Sequence, residues 1–153
     1  MIRSKGFSML EIMITVAIVA VIAGIVAYSF GTLRARKQLE ITVDSIGSKL
    51  EEAKANALAG KGGTSFGIVF ASTTYTYFRG TTYSSSDPAN VVYNLASNLE
   101  ITRTLSGGGS QILFARLTGL PSATGTLSVR SSSPSSTTAR IIVGTYGDIS
   151  VIK

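Results

Sequence analysis

The feature that most constrains this chain is an uncharged segment running from Ile12 to Leu33. As a helix, its 22 residues would reach about 33 Å at a rise of about 1.5 Å per residue. That length crosses the hydrocarbon core of a bilayer, which is about 30 Å thick. The segment is longer than the apolar part of a secretory signal peptide, and no small-residue cleavage site follows it. The sequence therefore predicts a membrane-spanning helix, with a plain signal anchor as the alternative.

One carboxylate, Glu11, stands at the start of this apolar helix. A charged side chain costs about 2.5 to 3.5 kcal/mol at the centre of a membrane helix, less toward its end, and usually has a partner. Lys5 lies before the span and Arg34 lies beyond its far end, so neither is placed to pair with Glu11. Cleavage of the peptide bond after Gly6 would create an α-amino group on Phe7, which is four residues before Glu11 and hence on the same helix face. Such cleavage would supply the missing positive charge.

A short basic leader, a glycine, FSMLE and a long apolar helix follow one another in this chain. This order resembles the class III signal of type IV pilins and type II secretion pseudopilins, over about thirty residues. The resemblance implies that residues 1–6 are a leader, which a prepilin peptidase removes by cutting between Gly6 and Phe7. It also implies N-methylation of Phe7 and a role for Glu11 in guiding subunit docking.

The same resemblance implies where the chain resides and what it meets. Residues 7–33 would cross the cytoplasmic (inner) membrane once, with the globular part outside the cytoplasm, and the subunit would enter a pilus or pseudopilus with other such subunits. The basic residues themselves do not fix this orientation, because Arg3 and Lys5 on one side oppose Arg34, Arg36 and Lys37 on the other.

Residues 34–60 continue the helix as an amphipathic segment. One apolar or small stripe recurs at steps of four and three residues, which predicts a single buried helix face; it consists of Leu39, Val43, Ile46, Leu50, Ala53 and Ala57. Gly60, Gly62 and Gly63 then end the helix. We expect one continuous helix from Phe7 to about Ala59. A coiled coil is disfavoured because the stripe is short and contains Gly47.

Residues 61–153 change to a strand pattern. Eight short runs rich in β-branched and aromatic residues are separated by glycine, serine, aspartate and proline clusters: FGIVF, TYTYF, VVYNL, LEITRTL, QILFARL, GTLSVR, ARIIV and DISVI. The polar stretch Ser131 to Thr138 is predicted to be a hairpin loop. The whole chain is thus predicted to be α+β and pilin-like, with its long helix packed against an antiparallel sheet.

The C-terminal half carries a narrower resemblance. Phe114, Gly119 and Gly125 in ILFARLTGLPSATGTLSV, followed by the basic residue and β-branched strand of ARIIVGTYGDISV, are similar to the GspH/FimT group of minor pilins and pseudopilins. Another minor or major pilin remains the alternative. The resemblance implies a minor structural subunit.

Enzymatic and metal-binding functions are not expected. The sequence has no histidine and no cysteine, which removes the usual base of a serine hydrolase and the preferred ligands of transition metals. Gly63 to Gly67 matches the G-x-S-x-G pattern, but neither a preceding strand nor a following helix is predicted there. We therefore predict no catalytic residue, no metal site and no cofactor.

Two functions from different classes are compatible with these features. The first is a structural subunit that packs its N-terminal helix against neighbours. The second is a DNA-binding minor pilin for DNA uptake. Residues 61–153 hold seven basic residues against three acidic ones, Asp87, Glu100 and Asp148; the basic ones are Lys61, Arg79, Arg103, Arg116, Arg130, Arg140 and Lys153. Arg130 and Arg140 flank the serine-rich loop and are the candidate phosphate contacts, provided that the fold gathers them on one face.

Overall fold

A computed structural model describes residues 6–132 and 136–153, apart from the side chain of Tyr28. One helix, α1, spans Met9–Leu58, and short 3-10 turns lie at Lys61–Gly63 and Ser106–Gly108. The eight strands are β1 Phe66–Phe70, β2 Thr74–Arg79, β3 Val91–Asn94, β4 Leu99–Leu105, β5 Gln111–Phe114, β6 Gly125–Ser131, β7 Thr137–Val143 and β8 Ile149–Ile152. At about 1.5 Å per residue, α1 is about 75 Å long.

The strands form two antiparallel sheets of four strands each, in the orders β3-β2-β1-β5 and β4-β6-β7-β8. The α+β class, the long helix and the eight strand segments are as predicted. We expected a single sheet, but the structure has two. Apolar alternation predicts which face of a strand is buried but not which strand pairs with which. The division into two sheets therefore could not be predicted from the alternation pattern.

The predicted apolar stripe of α1 is the centre of the core. Each of its six members is at most 2% exposed, and they cluster with inward-facing residues of both sheets, including Phe70, Phe114 and Ile141. Burial of large aliphatic and aromatic side chains contributes about 1.5 to 3 kcal/mol each. We call residues 61–153 the head. The second half of α1 is therefore held by hydrophobic packing against the head.

Strand β8 runs antiparallel to the helix it covers. The Lys54 ammonium donates to the Gly147 carbonyl at 2.9 Å, and the Lys153 ammonium meets the Asp44 carboxylate at 2.6 Å. Between them, a Cβ on Gly47 would lie 3.1 Å from a methyl of Val151, so the glycine permits this close approach. The end of the head near Lys153 and Asp44 is called the proximal end, because it adjoins the exposed half of α1, and the opposite end is the distal end.

A polar seam on α1 lies beside the apolar stripe and faces tyrosines of the first sheet. Ser45 hydrogen-bonds the Tyr75 hydroxyl at 2.9 Å, and Asn56 donates to the Tyr77 hydroxyl at 2.9 Å. The Lys49 ammonium lies 5.5 Å from the ring centroid of Tyr93, a cation–π distance. Burial raises the pKa of the Tyr77 hydroxyl. These contacts fix the angle of the first sheet against the helix.

Two predicted boundaries are wrong. Strand β5 ends at Phe114 and not at Leu117; Leu117 takes a left-handed φ of 67°, which no strand accommodates. The serine-rich loop is shorter than predicted, because Ser131 pairs with Thr137 at the ends of β6 and β7. The hairpin itself is as expected, and residues 133–135 lie outside the described part of the chain.

Two glycines of the predicted C-terminal pattern occupy positions that need glycine. Gly119 has a φ of 63°, and a Cβ there would lie 2.7 Å from Leu58 Cγ. Gly125 has a φ of 144°, and a Cβ there would collide with the Thr104 carbonyl oxygen. Positive φ and close approach both favour glycine. Backbone conformation and packing therefore explain why glycine stands at these two positions.

Candidate functional site

The helix begins at a serine cap just before Glu11. Ser8 has extended backbone angles (φ −77°, ψ 149°), and its hydroxyl accepts a hydrogen bond from the Glu11 amide at 3.2 Å. A serine followed three residues later by glutamate is the spacing of a capping box, and this spacing is the sequence signal that marks the true helix start. A carboxylate in the first turn is also stabilised by the helix dipole. Glu11 is therefore compatible with the helix start.

Gly6 and Phe7 lie outside the helix. Both are exposed, Phe7 at 77% of its surface, and the peptide bond between them precedes the extended Ser8 cap. The expected helical start at Phe7 is thus wrong by two residues, because Ser8 leaves the helical backbone conformation in order to cap. As a result, Phe7 and Glu11 do not share a helix face in the uncleaved chain. The leader residues 1–5 lie outside the described residues.

The first half of α1 is uncovered. From Met9 to Leu33 its large apolar side chains are exposed, and within the described residues this is the one helix long and apolar enough to cross a membrane. Apolar residues occur all round the helix rather than on one stripe, the pattern of a span surrounded by lipid or by other helices. This segment suits membrane anchoring.

Arg130 and Arg140 lie on one face of the second sheet. In the β6–β7 ladder, Arg130 is opposite Thr138 and Arg140 is opposite Ser128. Residues two apart on a strand share a face, so the two arginines are diagonal neighbours, and both are exposed. The Arg130 Nε donates to Ser136 Oγ at 3.1 Å. The fold therefore brings together the two sequence-predicted phosphate contacts.

The other basic residues of the head do not all join this pair. Arg79 lies opposite Phe66 at the start of β1, and Lys61 begins the 3-10 turn just beyond the end of α1, so both belong to the distal end. Lys153 is paired with Asp44. A single basic face holding all seven residues is therefore not formed.

The serine-hydrolase pattern has a structural role. Ser65 is buried, and its hydroxyl accepts a hydrogen bond from the Arg116 amide at 3.2 Å. This bond ties the segment before β1 to the one after β5. Among residues 6–132 and 136–153, no group of three acidic, histidine or cysteine side chains is placed to hold a metal ion.

Known proteins are similar to this chain in two respects, its N-terminal sequence motif and its fold. Residues 1–27 match the prokaryotic N-terminal methylation motif. The fold is similar to the minor pseudopilin EpsH of the type 2 secretion system of Vibrio cholerae, with 17% identity and a TM-score of 0.59 over 75% of this chain and 96% of that one. It is also similar to the type IV minor pilin FimU of Pseudomonas aeruginosa, with 13% identity and a TM-score of 0.59 over 77% of this chain and 90% of that one. A search of curated proteins gave no significant match.

The resemblance inferred from the sequence is thereby confirmed at two levels. The N-terminal segment carries the methylation motif, and the head with its helix has the pilin-like fold of minor pseudopilins and minor pilins. The first level concerns the signal and the second concerns architecture.

Proposed function

We propose that this chain is a minor pilin or pseudopilin, a structural subunit of a type IV pilus or type II secretion pseudopilus. It is inserted once in the cytoplasmic membrane with the head outside the cytoplasm, cleaved after Gly6 by a prepilin peptidase, N-methylated at Phe7, and assembled through its N-terminal helix. The observation that carries this proposal is the uncovered apolar half of α1, whose first turn carries Glu11 within the methylation motif. No catalysis is part of this function.

Cleavage gives Glu11 a partner. The peptide bond after Gly6 lies in exposed, non-helical chain, where a peptidase can bind it in extended form. The amine released on Phe7 is positive and lies just outside the first turn, so it can meet the Glu11 carboxylate of its own chain or of a neighbouring subunit. Such pairing offsets the cost of a carboxylate in an apolar environment.

The N-terminus of the mature protein tests the processing step. Mass spectrometry of the protein isolated from its own host should find a chain that begins with N-methylated Phe7. An intact Met1 start, or cleavage beyond Leu33, would contradict the proposal.

Glu11→Ala tests the assembly step. We expect membrane insertion to persist, while incorporation into filaments falls about tenfold or more, the equivalent of one charge-assisted hydrogen bond. Incorporation is measured by immunoblotting sheared filaments against the membrane fraction. Glu51→Ala is the matched control, since Glu51 is an exposed glutamate on the second half of the same helix; equal incorporation of the two variants would remove the assembly role of Glu11.

A DNA-binding minor pilin is the second candidate, favoured by the adjacent and exposed Arg130 and Arg140. Two phosphate contacts would give a logarithmic salt slope of about −2. Changing both arginines to glutamine should weaken binding of the full chain to duplex DNA and flatten this slope. DNA binding that does not change with salt would exclude phosphate-directed capture, and DNA binding that the double variant retains in full would exclude Arg130 and Arg140 as its contacts.

A further inference from the structure

At the proximal end of the head, basic side chains of α1 and of the head come from three distant parts of the sequence. They follow the uncharged helix segment, flank the β6–β7 hairpin and end the chain: Arg34, Arg36, Lys37, Arg130, Arg140 and Lys153. The sequence alone does not relate the first three to the last three. Their common location follows from the direction of the strands along the helix.

A shallow groove between α1 and the head brings residues of these separate parts of the sequence together. Its helix wall is formed by Arg36, Leu39 and Glu40, and its head wall by residues 137–139 and Lys153. Arg130 is opposite Thr138 in the ladder, one strand spacing of about 4.8 Å from that wall. Arg140 lies two residues farther along β7 on the same outer face. The hairpin arginines and Arg36 thus belong to one end of the head.

Intramolecular ion pairs use only part of this charge. Lys37 pairs with Glu40 at 2.8 Å, and Lys153 pairs with Asp44 at 2.6 Å. Within residues 6–132 and 136–153, the ion pairs found do not include Arg34, Arg36, Arg130 or Arg140. Four guanidinium groups at this end therefore form no ion pair in the described part of the chain, Arg130 included, although Glu100 is its cross-strand neighbour, and they remain available for an external anion.

The depth of these groups matches a lipid headgroup layer. Arg34 directly follows the uncharged segment that ends at Leu33. Arg36, Leu39 and Glu40, which line the groove, lie about 5 to 10 Å beyond Leu33 along the helix axis. The polar layer of a bilayer is about 5 to 7 Å thick on each side, and long arginine side chains extend toward such a layer. With the chain anchored as proposed, Arg34 and Arg36 would lie at the depth of this layer, and Arg130 belongs to the same end of the head.

We propose that the proximal end of the head is a binding surface for anionic phospholipid headgroups of the membrane that anchors the chain. This inference rests on the membrane anchoring in the proposed function. Guanidinium groups bind phosphate oxygens with paired hydrogen bonds, and each basic residue near an anionic surface strengthens association about fivefold. The contacts would hold the head upright on the bilayer before the subunit is extracted into a filament.

Duplex DNA offers the same phosphate chemistry but a less suitable approach. With the chain anchored as proposed, Arg34 and Arg36 are next to the bilayer surface, and the hairpin arginines are at the same end of the head. Lipid phosphates are already at that position, whereas a duplex would have to enter between the head and the bilayer. The location therefore favours lipid over nucleic acid.

The test uses the full chain in lipid nanodiscs that contain phosphatidylcholine and phosphatidylglycerol. Association of spin-labelled phosphatidylglycerol relative to spin-labelled phosphatidylcholine is measured by electron paramagnetic resonance at low and high salt. We expect a preference for phosphatidylglycerol of about fivefold or more at low salt, reduced by high salt through screening. The double variant Arg36→Gln/Arg130→Gln should lose most of this preference.

A matched control removes the same charge at the distal end. Arg79→Gln/Arg116→Gln changes two exposed arginines that lie far from the span, and it should retain the preference. Equal behaviour of the two double variants, or a preference that salt does not change, would overturn the inference. Duplex DNA that displaces the labelled phosphatidylglycerol from wild type, but does not bind the proximal double variant, would replace lipid by nucleic acid.

Filament incorporation of the same variants separates this inference from the proposed function. If wild type prefers phosphatidylglycerol but never enters filaments, the structural-subunit proposal fails and the lipid surface stands. If wild type enters filaments and shows no lipid preference, only the lipid surface is refuted.

Discussion

The two halves of α1 differ in apolar content and have opposite environments: 19 of residues 9–33 are apolar, against 10 of residues 34–58. Between Met9 and Leu33 the large apolar side chains whose exposure the structure describes are 45% to 80% exposed, whereas the stripe from Leu39 to Ala57 is at most 2% exposed. The backbone is one uninterrupted helix across both. Both the number and the arrangement of apolar residues differ, because they surround the first half and are concentrated on one face of the second.

This difference shows how one helix can provide both an apolar segment for contacts outside the chain and a core element of the head. A helix that is apolar all round lowers its free energy only in lipid or among other helices, so the first half needs a partner outside the chain. A striped helix is satisfied by its own head, which covers the stripe with two sheets. Stability of the head and assembly of the chain are therefore expected to respond to substitutions in different halves.

The largest expected effect comes from deleting a core side chain in the second half. Ile46→Ala removes a side chain that is 1% exposed and should lower the free energy of unfolding of the head by about 2 to 5 kcal/mol. Ile18→Ala, at a residue that is 54% exposed, should leave it unchanged. Urea unfolding of the full chain in detergent micelles, followed by tyrosine fluorescence, measures both. Similar losses of unfolding free energy in the two variants would contradict the expectation that only the second half of α1 stabilises the head.

A smaller effect is expected from filling the two helix glycines. Gly47→Leu must displace Val151, which a Cβ alone would approach to 3.1 Å, and should destabilise the head by about 1 to 3 kcal/mol through overpacking. Gly24→Leu meets nothing within 4 Å and should not change head unfolding. The same urea titration measures both variants. A destabilised Gly24→Leu head would mean that the first half contributes to head packing.

The smallest expected effect is the pH dependence of head stability, and it arises where the second half of α1 contacts the first sheet. Burial raises the pKa of Tyr77 above its ordinary value of 10.0, and the hydrogen bond to Glu52, together with the contact with Tyr93, raises the pKa of Lys49. Groups with a raised pKa contribute stability that is present below the unfolded pKa and lost as pH rises through the folded one. The head should therefore become less stable above about pH 10.

Tyr77→Phe is the variant that isolates this pH effect. It removes the hydrogen bond from Asn56, at a cost of about 0.5 to 1.5 kcal/mol near neutral pH, and it should flatten the alkaline decline. Thermal unfolding measured at pH 8 and pH 11 provides the readout. An equally steep decline in the variant would exclude Tyr77 as a source.

Several features of the fold were predictable because they depend on neighbours in sequence. The helix, its buried stripe and the eight strands follow from local apolar periods of 3.6 and 2. The Ser8 cap was also readable from the S-x-x-E spacing. Leu117 was not, because its left-handed conformation departs from the backbone preference of leucine, and the Leu117 amide instead donates to the Ala57 carbonyl at 2.8 Å.

The candidate site divides in the same way. Gly6, Phe7 and Glu11 are contiguous, so their pattern is complete in the sequence, and their processing and assembly roles remain proposals. Arg130 and Arg140 are ten residues apart, and their diagonal position depends on the register of β6 and β7. The link between these arginines and Arg36 depends further on how β7 and β8 lie against the helix.

The sequence by itself determined the long helix, its change from an all-round apolar half to a striped half, the strand segments and the N-terminal motif. Each of these is written in residues within a few positions of one another, and local backbone geometry converts such spacing directly into a face or a turn. Only the tertiary structure decided that the strands form two sheets and that the hairpin arginines lie at the proximal end. Those outcomes depend on strand partners and on packing against α1, where residues far apart in sequence meet, and no local period encodes them.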